Sequence, residues 1–412
     1  MFSRWISASN DITRQFLSFG VRPDFISMAG GLPAAEFYPA AAISHATGRA
    51  LARWGAKALD YGPVEGFLPL RQHIAERMAR QTGCAVTTDN VLLTAGAMQG
   101  LDLLGKILID PGDRVVAQYP TYVGALDAWR PRLPSYEALD WVQNGVTTVD
   151  VLRAAKFVYT VPNYSNPTGA LVSTAARQAL LEKVLEAGTW LIEDDPYLPL
   201  QLDGAVGPSI LELHGRMEKA EPYQGPVIYL GTLSKSIVPG LRVGWAVAAP
   251  ELIQALVLAK QSADLASSML TQAVALELLE AGLEQTHVPH VVHQYRERRD
   301  ALCTTAATEL GQWFEWETPP GGMFVWMRSR NPAIDTDALY EHAVAEKVAF
   351  VPGSVFDPHG RLRSAIRVNF TRNAPAVLEE GIARLALATR RYLDSNSLRT
   401  KPRVQRTGGS LP

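Results

Sequence analysis

The chain has 412 residues, which is long enough for two or three domains with a large core. Hydrophobic residues make up 47% and charged residues 19%, a globular composition, and the formal net charge of −2 gives no electrostatic footprint for nucleic acid or an anionic membrane. We expect no signal peptide and no membrane-spanning segment, and the distant cysteines Cys84 and Cys303 favour reduced thiols in a cytoplasmic protein.

The middle of the chain alternates between strand and helix patterns. In chain order, the predicted strands are NVLLTAG, RVVAQYP, FVYTVPN, TWLIEDD, VIYLG and VGWAVAA, and the predicted helices are MQGLDLLGKILI, TYVGALDAW and TAARQALLEKVLEAG, the last ended by Gly188. Several strands are apolar on both faces, which is typical of a buried, mostly parallel sheet. Strands that alternate with helices predict an α/β domain.

The C-terminal third has a different pattern. From Pro250 to about residue 310 it is mainly helical, and then come the predicted strands MFVWMR, VAFVPG and AIRVNF with helices near 335–347 and 375–392. We predict four parts: an N-terminal arm with part of a small domain (1–45), a large domain (46–290), a small α+β domain (291–395) and a disordered polar tail (396–412).

Two familiar kinds of site are not indicated. The segment GLDLLGKI has the glycine and lysine spacing of a nucleotide P-loop, but Ile107 stands where serine or threonine should hold magnesium, and the segment reads as mid-helix. The eight histidines form no metal-ligand spacing, so we predict no metal site.

Polar side chains follow the predicted strands, where ligands collect in an α/β sheet. A helix start follows the first strand, Tyr122 the second and YSNPTG the third. Acidic residues and Tyr197 follow the fourth, and hydroxyl residues with Lys235 and Arg242 follow the fifth. These groups are therefore expected to meet at one cleft.

This set of groups suits one kind of ligand. Helix amides, hydroxyls and arginine bind phosphate, a carboxylate keeps a pyridine nitrogen protonated, and a tyrosine ring stacks on a flat ring. A lone lysine is usually a solvated surface charge, but Lys235 follows an apolar strand and precedes Arg242, and burial beside a cation lowers a lysine pKa. Such an amine forms an imine with an aldehyde. The combination predicts a phosphorylated pyridine aldehyde, such as pyridoxal phosphate (PLP).

A family resemblance rests on short motifs spread along the chain. SNPTG, EDDPY, TLSK and PGLRVGW occur in this order and spacing, with GGLP near the start and IRVNF near the end. Together they resemble the class I/II aminotransferases of the fold-type-I PLP enzymes over about residues 20–392. The branch it is most similar to holds the kynurenine/2-aminoadipate aminotransferases and the aminotransferase-like domain of MocR-type regulators.

The resemblance implies a fold and a reaction. The fold is that of type I PLP-dependent transferases: a large domain with a mostly parallel mixed sheet, and a small α+β domain. The reaction is transfer of the amino group of an L-amino acid to a 2-oxo acid through a pyridoxamine phosphate form. The expected partners are these substrates and a second copy of the chain, without nucleic acid or membrane.

The resemblance also assigns roles around the PLP ring. Lys235 would bind the aldehyde and then shuttle the proton between the substrate Cα and the cofactor. Asp194 would pair with the pyridine nitrogen, and Tyr122 would stack on the ring. Tyr197 and Asn166 would hydrogen-bond the ring hydroxyl oxygen.

Further roles concern the phosphate and the substrate. The phosphate ligands implied are Thr232, Ser234, Arg242 and the backbone of Ala97 and Met98. Tyr61 would reach the phosphate of the neighbouring subunit, so a homodimer with shared active sites is expected. Arg367 would bind the substrate carboxylate, with Asn166 and the Gly31 backbone nearby.

Two positions need separate comment. EDD offers Glu193, Asp194 and Asp195, and adjacent residues at a strand end point to opposite faces, so the side-chain pattern alone leaves the choice open. The spacing in the family, three residues before the tyrosine, selects Asp194. Many relatives have serine where Ala97 stands, so the phosphate site here lacks one hydroxyl.

Two alternative functions are compatible with the same motifs. One is another PLP reaction, such as β-elimination or decarboxylation, because a fold does not determine a reaction. The other is a PLP-sensing regulator, which carries a helix-turn-helix module before this domain; GGLP begins at residue 30, so we expect no such module.

Overall fold

The structure is a computed structural model that describes residues 2–7, 24–139, 147–218 and 221–400, with the backbone alone at residues 4, 7 and 396–400. Its α-helices are α1 (Arg4–Ser7), α2 (Ala40–Trp54), α3 (Leu68–Thr82), α4 (Ala97–Leu108), α5 (Val123–Trp129), α6 (Val149–Arg153), α7 (Thr174–Ala187), α8 (Ile210–Met217), α9 (Pro250–Gln261), α10 (Met269–Glu280), α11 (Leu283–Glu309), α12 (Thr336–Ala345) and α13 (Pro375–Thr400). Its strands are β1 (Ile26–Ser27), β2 (Val91–Thr94), β3 (Arg114–Gln118), β4 (Ser135–Leu139), β5 (Phe157–Thr160), β6 (Trp190–Asp194), β7 (Val227–Thr232), β8 (Gly244–Val247), β9 (Phe314–Glu315), β10 (Phe324–Ser329), β11 (Val348–Ala349), β12 (Val351–Pro352) and β13 (Ala365–Asn369).

The large domain is built on a seven-stranded mixed sheet in the order β2-β8-β7-β6-β5-β3-β4. β8 is antiparallel to both of its neighbours, and the other pairings are parallel. β2, β5 and β7 are buried at every residue, which explains their continuous apolar runs. Because all strands except β8 run the same way, their carboxyl ends meet at one edge, and this edge carries the candidate site.

The small domain is built on an antiparallel sheet in the order β12-β13-β10-β9. The N-terminal segment joins it, because β1 pairs in parallel with β11 and the Asn369 amide donates a 2.8 Å hydrogen bond to the Met28 carbonyl. This pairing leads residues 29–32 into the cavity at the edge of the large sheet.

The predicted elements are present, with differences at the ends. α7 begins at the Ser173 cap and ends at Gly188, whose φ of 68° is left-handed, as the glycine predicted. The edge strand β4 was not predicted, because its residues are mostly exposed and lack an apolar run. α11 runs through the predicted boundary at residue 290, and α13 continues to Thr400, past the predicted start of the tail at 396; residues 401–412 lie outside the described part.

Candidate active site

A cavity of about 510 Å³ lies at the carboxyl edge of the large sheet. The structure brings these predicted site residues to its wall: Gly31, Ala97, Met98, Tyr122, Asn166, Asp194, Tyr197, Thr232, Ser234, Lys235, Arg242 and Arg367. Tyr61 is not among the lining residues; its side chain is 83% exposed on the outer surface. The cavity joins residues from both domains, as expected for a ligand site between them.

The three consecutive acids at the end of β6 have different surroundings, although all are buried. Glu193 accepts hydrogen bonds of 2.8 and 2.9 Å from the Ile210 and Leu211 amides at the start of α8. Asp195 accepts 3.0 Å hydrogen bonds from Asn163 and Tyr229 and does not line the cavity.

Asp194 is the one acid of this triplet that lines the cavity. Its Oδ2 accepts a 2.9 Å hydrogen bond from Tyr159, whereas its Oδ1 is buried without a partner among the described residues. Burial raises the pKa of Asp194 to about 7, although the Tyr159 hydrogen bond acts in the opposite direction and the charge of Asp195 adds to the rise. One carboxylate oxygen is therefore available to a cationic ligand atom.

Lys235 follows β7 by three residues and points across the cavity. Its Nζ donates a 2.9 Å hydrogen bond to the Gly31 carbonyl, and so connects the large domain to the N-terminal segment. Burial, together with the positive charges of Arg367 and Arg242, lowers the pKa of Lys235 from 10.5 to about 8. A larger fraction of this amine is therefore neutral near neutral pH than in an exposed lysine, and attack on a carbonyl group requires the neutral form.

Hydroxyls, amides and a guanidinium form one end of the cavity. Arg242 has a left-handed backbone with φ of 52°, and its Nη2 donates a 2.9 Å hydrogen bond to the Ala95 carbonyl. Gly96 has φ of 86°, and a Cβ there would lie 2.6 Å from Nη2 of Arg242, so only glycine fits without a shift. Thr232 and Ser234 meet at 2.9 Å between their hydroxyl oxygens. The arrangement is typical of a site for a phosphate at a helix N-terminus.

Arg367, on β13, forms the opposite side of the cavity. Its Nη1 donates a 2.6 Å hydrogen bond to Oδ1 of Asn166, and its Nη2 donates a 2.5 Å hydrogen bond to the Ala29 carbonyl. The guanidinium carbon lies 4.1 Å from the ring centroid of Phe324 and 4.9 Å from that of Phe356. Burial lowers the pKa of Arg367 to about 10. A buried, oriented guanidinium of this kind binds a carboxylate.

Comparison with known proteins identifies the family. The family model for aminotransferase class I and II matches residues 39–385, most of the chain. Aromatic-amino-acid aminotransferase 1 of Thermococcus litoralis is 36% identical to this chain, over 90% of each. The chain belongs to the class I and II aminotransferases.

Two further relatives show how far the similarity extends. The crystal structure of LysN, the α-aminoadipate aminotransferase of Thermus thermophilus complexed with N-(5′-phosphopyridoxyl)-L-leucine, matches this aminotransferase with a TM-score of 0.85 and 35% identity, over 96% of this chain and 98% of LysN. The uncharacterized HTH-type transcriptional regulator YdfD of Bacillus subtilis is 30% identical to this chain, over 88% of this chain and 74% of the length of YdfD. The predicted family, fold class and PLP dependence are confirmed.

The cavity of this aminotransferase fits PLP on its own chemistry. The unpartnered Oδ1 of Asp194 suits a protonated ring nitrogen, and the turn beside Arg242 suits the phosphate. Lys235 supplies an amine with a lowered pKa for the aldehyde. Tyr122 and Tyr197 provide aromatic surface in the same cavity.

Sequence reasoning did not identify some residues that act on this site. Tyr159 donates to Asp194, and the Arg367 guanidinium lies over the Phe324 and Phe356 rings. The signal for Tyr159 was a tyrosine inside a buried strand, where a phenol needs a partner, but nothing local identified the partner. In the described part of the chain, no helix is long and apolar enough to cross a membrane, and no group of three or more His, Cys, Asp or Glu residues could hold a metal ion.

Proposed function

We propose that this aminotransferase converts L-amino acids with apolar or aromatic side chains, using the residue roles predicted from the sequence. PLP, when bound, supplies an aldehyde for amines and a ring that withdraws electrons from the substrate Cα. The observation that carries the residue roles is the placement of Lys235, Asp194 and Arg367 around one cavity.

Each residue has a separate task in this proposal. Lys235 would hold the cofactor aldehyde through its amine and would carry a proton to and from the substrate Cα, which its lowered pKa favours. Asp194 keeps the ring nitrogen protonated, and Tyr197 with Asn166 holds the ring hydroxyl. Tyr122 covers the ring face. Arg367 binds the α-carboxylate and so orients the Cα.

Side chains and backbone amides together hold the phosphate in this proposal. Thr232, Ser234 and Arg242 bind it through their side chains, and the backbone of Ala97 and Met98 supplies amides. The support is the arrangement of these groups at one end of the cavity.

The preference for an apolar side chain rests on the rest of the cavity wall. Leu32, Val123, Val351 and Phe356 contribute apolar surface. Among the described lining residues, the cations are Lys235, Arg242 and Arg367, and each already has a task. The relative named for aromatic amino acids agrees with such a preference.

The test is a half-reaction. Enzyme loaded with PLP is mixed with one amino acid and no 2-oxo acid, and the 2-oxo acid formed is measured per active site. We expect one equivalent and the pyridoxamine form of the cofactor, with leucine and phenylalanine faster than aspartate. Continuous release of ammonia would instead indicate a lyase, and absence of any product would favour the regulator.

Two controls connect this result to the named residues. Borohydride reduction of the loaded enzyme should attach the cofactor to Lys235, and peptide mapping that finds it on Lys106 or Lys260 would contradict the site. Lys235→Ala should retain PLP through its phosphate but form no 2-oxo acid.

The proposal includes a homodimer in the cytoplasm. Tyr61 (83% exposed), Leu59 (68%) and Leu265 (47%) are large apolar side chains on the surface, and a second copy would cover such groups. Tyr61 would then reach the partner's phosphate. Sedimentation at several concentrations tests the dimer; a monomer with full activity would contradict the shared site. In the described part of the chain neither Cys84 nor Cys303 is in a disulfide, which favours a reducing compartment. The domain boundaries at 45/46, 290/291 and 395/396 remain part of this proposal.

A further inference from the structure

The turn before α4 is held by a side chain of the helix that follows it. Gln99 accepts, through Oε1, a 2.8 Å hydrogen bond from the Ala95 amide. It occupies the third position of α4 and reaches back to the amide of the residue before the cap, one residue beyond the contact that defines a capping box. The cap residue itself, Gly96, has no side chain to contribute. The position of this turn therefore depends on Gln99.

Gln99 is in turn held by an ion pair whose lysine is buried. Its Nε2 donates a 2.7 Å hydrogen bond to Oδ2 of Asp264, and Oδ1 of the same carboxylate accepts a 2.9 Å hydrogen bond from Nζ of Lys260. The Lys260 side chain is fully buried, and Ser267 donates a further 3.1 Å hydrogen bond to Asp264. A buried lysine with one carboxylate partner is costly to leave unpaired, so this pair sets the place of the carboxylate.

The other side of the turn packs directly against β8. A Cβ on Gly244 would lie 2.9 Å from the Ala97 amide nitrogen, so β8 lies directly against the turn. The Arg242 guanidinium donates to the Ala95 carbonyl, whereas Gln99 accepts from the Ala95 amide. The backbone carbonyl and amide of Ala95 are thus each held by one side chain, the carbonyl by Arg242 and the amide by Gln99.

This support matters more here because Ala97 offers no hydroxyl. The backbone amides must then supply the contacts on this side, and amides bind an anion well only where they are oriented beforehand. We propose that Lys260, Asp264 and Gln99 form a positioning network that holds the Ala95–Met98 turn in place for the PLP phosphate. The proposal rests on the phosphate site proposed above.

The experiment compares two ligands that differ only in the phosphate. Apoenzyme is titrated with PLP and with pyridoxal, which has the aldehyde and ring but no phosphate. Gln99→Leu should raise the Kd for PLP about ten-fold, equal to about 1.4 kcal/mol, and leave that for pyridoxal unchanged. Asp264→Asn should act in the same direction. The ³¹P resonance of bound PLP should shift in both variants, because the surroundings of the phosphate change.

A matched control comes from the same helix. Lys106 and Asp102 form an i,i+4 ion pair on α4 at 2.7 Å, away from the turn. Lys106→Met should leave both dissociation constants unchanged. Should Asp264→Asn fail to fold because Lys260 loses its partner, Gln99→Leu still carries the test, since its side chain is only half-buried.

The outcomes separate this inference from the phosphate site itself. Arg242→Leu should weaken PLP and not pyridoxal; if it does not, the phosphate site is misplaced. If Arg242→Leu behaves as expected but Gln99→Leu binds PLP as tightly as the parent, the positioning network is refuted. Equal weakening of PLP and pyridoxal by Gln99→Leu would also refute it, because the effect would then be general disruption.

Discussion

Asp194→Asn is the substitution that tests the site most directly. The amide keeps the size of the side chain and can still accept the hydrogen bond that Tyr159 donates at 2.9 Å. Its NH₂ group would then occupy the place of Oδ1, which is buried and unpartnered among the described residues. This NH₂ group would face the protonated ring nitrogen. Because both groups are hydrogen-bond donors, the positive charge on the ring would no longer be stabilised.

The expected magnitude follows from the charge on this contact. A hydrogen bond to an ionised group is worth about 1.5–3 kcal/mol, which corresponds to a loss of about 10- to 150-fold in rate if the contact acts in the transition state. The site is buried, so solvent does not replace the contact. Thermal stability should change little or rise. The substitution removes a carboxyl group that is costly to ionise in its buried position, as happens above its pKa of about 7.

The assay is the single-turnover rate of the half-reaction with saturating amino acid, measured beside Asp195→Asn. The Asp195 carboxylate accepts from Asn163 and Tyr229 and does not line the cavity, so its replacement should lower stability more than rate. The reasoning fails if Asp195→Asn is the slow variant and Asp194→Asn reacts normally.

Three other outcomes are expected. In apoenzyme, acylation of Lys235 followed by mass spectrometry across pH should reach half its maximal rate near pH 8. Burial and nearby cations lower the pKa of this lysine, and the reactive neutral amine forms above that pH. A midpoint near pH 10.5 would show instead that the amine is solvated. Arg367→Lys should raise KM for amino acids and 2-oxo acids alike by about 10- to 100-fold, since lysine cannot make the bidentate contact; a change in side-chain preference alone would contradict its place. Ala97→Ser should tighten PLP binding about ten-fold by adding one hydrogen bond to a charged acceptor, worth about 1.5 kcal/mol, without changing which amino acids react; unchanged affinity in an apoenzyme titration would show that the network and Arg242 already satisfy the phosphate.

Local patterns in the sequence were sufficient for six of the seven strands of the large sheet and for the polar groups that follow them, but helices α2, α3, α6 and α8 were not predicted. Apolar runs such as VIYLG mark buried strands because every residue of β7 is in the core. A single lysine and a single arginine after that strand stand out for the same reason, since ionisable groups are rare beside buried sheets. The small edge strand β4 had no such run and was not predicted.

Only the tertiary structure decided how distant segments meet. Gly31 and Lys235 are 204 residues apart, and Asn166 and Arg367 are 201 apart, yet each pair is joined by a hydrogen bond. The side-chain pattern left Glu193, Asp194 and Asp195 open and the family spacing selected Asp194, but which carboxylate faces the cavity depends on where α8, Asn163 and Tyr229 lie. Periodicity reports the face that a residue presents to its own strand or helix, whereas these contacts depend on the order of strands in the sheet and on the packing of one domain against the other.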